Sequence, residues 1–74
     1  MKKVSPKPVP VRVIIDTNNT VMLVAIIRDL KRFGLEVHRG FLKDGQGVVD
    51  GEVPSVAAMT EIRSAQGVQQ CWTR

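Results

Sequence analysis

Thr20-Val21-Met22-Leu23-Val24-Ala25-Ile26-Ile27-Arg28 leads through Leu30 and Phe33 into Gly34-Leu35-Glu36-Val37: an apolar-striped helix, a glycine, then a short strand. The same order returns from Ser55 through Ile62-Arg63 to Gly67-Val68-Gln69-Gln70-Cys71. A strand-like segment precedes each copy, residues 11–16 before the first and 48–53 before the second. The order is therefore strand, helix, strand, twice over. It predicts an α+β, ferredoxin-like βαββαβ domain, with a four-stranded antiparallel sheet and two helices on one face.

The local signals agree with that plan. Val11-Arg12-Val13-Ile14-Ile15-Asp16 alternates with period two and is rich in β-branched residues, which marks a strand. Val11, Val13 and Ile15 are expected to face the helices, and Ile14 the opposite side. Thr17-Asn18-Asn19-Thr20 is a capping cluster, so the first helix should start at Asn19 or Thr20. Leu23, Ile26, Ile27 and Leu30 share one helical stripe, extended by Met22 and Phe33, with Val21, Ala25, Arg28 and Arg32 opposite. Gly34 stands where a left-handed residue closes a helix. Residues 35–42 read as the second strand, and Lys43-Asp44-Gly45-Gln46-Gly47 as a hairpin turn built on Asp-Gly. Gly51, inside the third strand, predicts a bulge or the close approach of a packed helix. Pro54-Ser55 opens the second helix, with Val56, Met59 and Ile62 inward and Ala58 between them. Residues 68–72 form the last strand.

Size and composition narrow the function. Seventy-four residues make a single small domain, read as residues 11–74, behind a basic, proline-rich lead-in at 1–10 that is expected to be flexible. Lys2, Lys3, Lys7 and Arg12 carry positive charge with no acid among them, whereas seven bases and seven acids follow from residue 13. The net charge of +4 thus sits at the start, and the near-neutral body argues against nucleic acid as a partner. One cysteine and one histidine leave no internal disulfide and no protein-only zinc set, so no metal and no cofactor is expected. No stretch approaches the roughly 20 apolar residues of a membrane span, and no apolar signal region follows Lys2-Lys3. A soluble, cytoplasmic protein that does not engage membranes is the expectation, in keeping with the lone thiol of Cys71.

Nothing in the chain has the form of a catalytic constellation, and no enzyme activity is expected. A Schiff-base lysine needs a desolvated pocket, while Lys31 reads as exposed on a helix and Lys43 lies in a turn. His38 lies mid-strand, opposite in facing to Val37, and reads as a solvent-facing sheet residue. Cys71 reads as a small buried hydrophobe. Gly45-Gln46-Gly47 joins strand to strand and serves as hairpin punctuation, not as a phosphate cradle. Asp50 and Glu52 share a strand face and are expected to form a solvated stripe that pairs across strands with Arg39 or Arg12. Trp72, a large aromatic on the last strand, serves either as core cover or as an interaction anchor.

The succession Gly34-Leu35-Glu36-Val37, Val48-Val49-Asp50-Gly51-Glu52-Val53, a short helix and Gly67-Val68-Gln69-Gln70-Cys71 resembles the peptidase inhibitor I9 family of subtilisin propeptides and their free-standing inhibitor relatives. The resemblance covers about residues 11 to 72. It implies a small non-enzymatic protein-binding module that docks a subtilisin-like protease on the open sheet face, with Cys71, Trp72, Thr73 and Arg74 directed to the substrate cleft. That family usually carries acidic residues just after the closing strand, where Trp72 and Arg74 stand here. With no protease domain following in the chain, the implied role is in trans. The alternative reading is an ACT-like or other regulatory domain acting as a homodimer. Those domains commonly place a glycine in the loop after the first strand, and Asp16-Thr17-Asn18-Asn19 has none. In either reading the second sheet face, with Ile14 and Val48, is the expected contact surface and invites self-association.

Overall fold

The computed structural model describes residues 8–74. Six elements follow in the order β1 (Val9–Ile15), α1 (Thr20–Lys31), β2 (Glu36–Lys43), β3 (Gln46–Val53), α2 (Val56–Arg63) and β4 (Val68–Thr73). All strands are antiparallel in a single sheet of order β2-β3-β1-β4, the ferredoxin-like arrangement expected from the doubled strand–helix–strand pattern.

The two helix starts follow from their capping residues. The Asn19 side chain accepts from the Val21 amide at 2.8 Å and the Met22 amide at 3.2 Å. The Ser55 hydroxyl accepts from the Ala58 amide at 3.2 Å. Each satisfies amides that the first helical turn leaves without a partner. Each helix is followed by a glycine in the left-handed region, Gly34 at φ +97° and Gly67 at φ +90°, which turns the chain back toward the sheet. The hairpin turns on Asp44 and Gly45, both at positive φ (54° and 78°), as a two-residue turn requires.

One face of the sheet is dry. Val11, Val13 and Ile15 of β1 lie beside Val49 and Val53 of β3, all fully buried or nearly so, and Cys71 of β4 joins them. Leu23 and Leu30 of α1 and Ala58, Met59 and Ile62 of α2 close over this layer. Leu30 and Ile62 are wholly buried, and side chains of this kind contribute about 1.5–3 kcal/mol each by leaving water. Arg63 fastens α2 to the sheet by donating from Nε to the Cys71 carbonyl at 2.9 Å.

Several expectations are corrected. β1 begins at Val9, so Val9 and Pro10 belong to the domain, while residues 1–7 of the expected lead-in lie outside the described residues. Pro10 sits in a central strand, a place that usually needs its missing N–H. Its carbonyl accepts from the Arg74 amide at 2.9 Å, and the absent donor falls just past the last β1–β4 pair, Val11 and Thr73. Met22 and Val56 point outward, 52% and 59% exposed, because the helices are seated by Leu23, Leu30, Met59 and Ile62. Gly51 is required by a neighbouring strand and not by a helix: a Cβ there would collide with the Glu36 carbonyl of β2. The ladder shifts beside it, between Val37 and Arg39, so a bulge does accompany this glycine.

Candidate functional site

Antiparallel pairing places opposed residues on the same side of a sheet, and the register therefore writes out the open face row by row. The central row runs Trp72, Arg12, Asp50, Arg39 across β4, β1, β3 and β2. Beside it lies Gln70, Ile14, Val48, Phe41. On the other side Glu36 faces Glu52, with His38, the extra residue of the β2 bulge, reaching Glu52 at 3.2 Å. Across the end of β1, Gln46 donates to Gln69 at 2.7 Å, using the bulge in β4.

Asp50 is the centre of this face. Arg12 donates to it through two nitrogens, Nε to Oδ1 at 2.7 Å and Nη2 to Oδ2 at 3.0 Å, the fork geometry that suits guanidinium and carboxylate. Arg39 and Arg74 approach the same Oδ2 at 3.8 and 3.7 Å, ion-pair range but too long for hydrogen bonds. The Asp50 side chain is only 3% exposed, since it lies in a central strand beneath three guanidinium groups. The Arg12 hydrogen bonds hold its carboxyl below the usual carboxylate range; burial opposes this, and the charges of Arg12, Arg74 and Arg39 add to the lowering. The pairing expected from the sequence is present, but Asp50 is not part of a solvated stripe. Glu52 is partly exposed and makes its contact with His38 instead.

Apolar groups flank the cluster. Val48 is buried on this face between the half-buried Ile14 and Phe41. The Arg39 guanidinium lies 4.8 Å from the centroid of the Phe41 ring, a cation–π contact that fixes both. Trp72 is 39% exposed beside Arg12, so it is not core cover. It stands at the edge of the open face.

The residues expected to bind a partner are thus divided by the fold. Ile14 and Trp72 lie on the open face, and Arg74 extends its guanidinium over it. Cys71 faces the core, and burial pushes its thiol pKa up, partly countered by the charge of Arg63. Thr73 pairs with Val11 as the last residue of β4. Val48 lies there as expected, and Arg12, Arg39 and Phe41 join Ile14 and Trp72 without having been singled out as partner-binding residues. Their signal was the alternation of β1, β2 and β3 once the register is known.

The loop after β1 borders a shallow depression lined by Asp16, Thr17, Met22, Ile26, Asp29 and Gln66. It presents two carboxylates and no basic group. Among the described residues no cluster of His, Cys, Asp and Glu has metal-binding geometry, and no helix is long and apolar enough to cross a membrane. Comparison of the chain with protein-family models, curated proteins and solved structures returned no match.

Proposed function

We propose that this chain is a small non-enzymatic protein-binding module that holds its partner on the open sheet face, as the resemblance to I9 inhibitors implies. The observation that carries the reading is the composition of that face. A central charged cluster, built on the Arg12–Asp50 pair, lies directly beside Ile14, Val48 and Phe41, with Trp72 exposed at its edge. Apolar and aromatic groups next to a held arginine cluster are the ingredients of interface hot spots. The other face of the sheet is filled by core.

A subtilisin-like protease is the partner class this reading names. Cys71, Trp72 and Thr73 are paired into β4 against Val13, Arg12 and Val11, so contact is assigned to the side chains of Trp72 and Arg74. Deleting residues 71–74 would remove half of β4 and a core residue, confusing binding with folding. The test is inhibition of a subtilisin-type protease by the intact chain and by the double variant Trp72→Ala/Arg74→Ala. The expected result is slowed hydrolysis by the intact chain and inhibition at least about tenfold weaker in the variant, with an unchanged circular dichroism spectrum. Absence of inhibition by the intact chain removes the protease from the proposal.

A further inference from the structure

Three arginines meet one carboxylate on the open face, and only Arg12 spends its donors there. Arg39 and Arg74 stand 67% and 50% exposed, close enough to Asp50 to be held by its charge yet too far to hydrogen-bond with it. Each guanidinium carries five N–H donors in a planar fork suited to carboxylates. Asp50 answers Arg12, and Glu36 and Glu52 lie on the far side of the cluster from the apolar row, so the unspent donors of Arg39 and Arg74 stand next to Ile14, Val48 and Phe41.

We infer that the partner docks an acidic protein segment here, its carboxylates received by Arg39 and Arg74 and its neighbouring apolar side chains resting on Ile14, Phe41 and Trp72. This rests on the reading of the open face as a protein-docking surface and states the chemistry of what it holds. A carboxylate seated there gains charge-assisted hydrogen bonds without disturbing the Arg12–Asp50 pair that positions the site.

The same face argues against the other anionic and self-made occupants. Nucleic acid needs a basic track and open aromatic planes. Here Glu36 and Glu52 stand in the row beside the cluster and interrupt any basic track, and the central strands present Arg12, Ile14, Val48 and Asp50 where stacking aromatics would be needed. A second copy of this chain brings Glu36 as the one carboxylate of this face not already engaged among the described residues, because Asp50 is held by Arg12 and Glu52 meets His38.

The test uses a short synthetic peptide in which glutamates are interleaved with leucines, the same peptide with glutamine for every glutamate, and an oligo-dT strand. Binding is read from the fluorescence of Trp72, the single tryptophan, and from the anisotropy of labelled probes. The glutamate peptide should bind, at least about tenfold tighter than the glutamine peptide, and weaken as salt rises. Arg39→Ala/Arg74→Ala should reduce its affinity about tenfold or more with the circular dichroism spectrum unchanged. No binding, equal binding of the two peptides, tighter binding of oligo-dT, or an unaffected double variant overturns the inference. So does sedimentation showing a dimer that the double variant dissolves, which would assign the face to a second copy. Protease inhibition separates the two proposals. A protease inhibited equally by wild type and the Arg39/Arg74 variant sustains the docking module and removes its acidic preference. Peptide binding without protease inhibition does the reverse, removing the protease and sustaining acidic docking.

Discussion

The two faces of the sheet are built from alternate residues of the same strands, yet they are held by different physics. Val11, Val13 and Ile15 point into a dry layer closed by α1 and α2, whereas Arg12 and Ile14 between them enter a face with no layer above it. On the covered side stability scales with apolar area removed from water, and no single polar contact decides it. On the open side burial is achieved by neighbours within the face itself: Val48 under Ile14 and Phe41, Asp50 under its arginines. Consequently the covered face should govern whether the chain folds, and, on the proposed function, the open face what it meets.

Truncating one isoleucine on each side puts the largest weight on this contrast. Ile62→Ala opens a cavity in the fully buried layer and should cost about 2–5 kcal/mol. Ile14→Ala removes a half-buried side chain from the open face and should cost about 1 kcal/mol or less, the share of area it keeps from water being smaller. Urea unfolding of both variants checks this, and equal losses would mean the open face is part of the core.

Acid provides a smaller effect confined to the open side. The folded carboxyl of Asp50 titrates below its unfolded counterpart, so its contribution is complete above the unfolded value of about 3.9 and drains away as pH falls through the folded value. Melting temperatures taken from pH 6 down to pH 2 should fall more steeply for the wild type than for Asp50→Asn, in which this group no longer titrates. Parallel curves would show that Asp50 gains nothing from its arginines.

The smallest effect concerns Cys71, on the covered side of the strand that carries Trp72. A buried thiol with a raised pKa offers little thiolate. It should resist a disulfide reagent in the native protein and react fully in denaturant, as followed by thionitrobenzoate release. Rapid native reaction would place β4 in frequent local opening.

Much of this was readable before any coordinates. Asn19, Ser55, Gly34 and Gly67 announce where helices begin and where the chain reverses, because capping and left-handed backbone are local demands that few residue types meet. The alternation of residues 11–15 announces a strand and assigns Ile14 to the face opposite Val13. The outward turn of Val56 and Met22 was not readable, since helical periodicity locates a stripe but not which edge of it the sheet covers. Nor was the burial of Asp50. A strand carboxylate ordinarily faces water, and only a central position with arginines converging from β1, from β2 and from the residue after β4 takes it out.

The chain by itself determined the number, kind and order of the elements, and hence the sheet, because periodicity, caps and turns act over a few neighbouring residues. The sequence offered Arg12 or Arg39 to Asp50, and tertiary structure decided that both share its row and that Arg74 joins them. Arg12, Asp50, Arg39 and Arg74 are far apart along the chain, and their meeting depends on the strand order and on a one-residue shift in β2. Side-chain facing reverses with every residue, so that shift is what sets Arg39 and Phe41 on the open face.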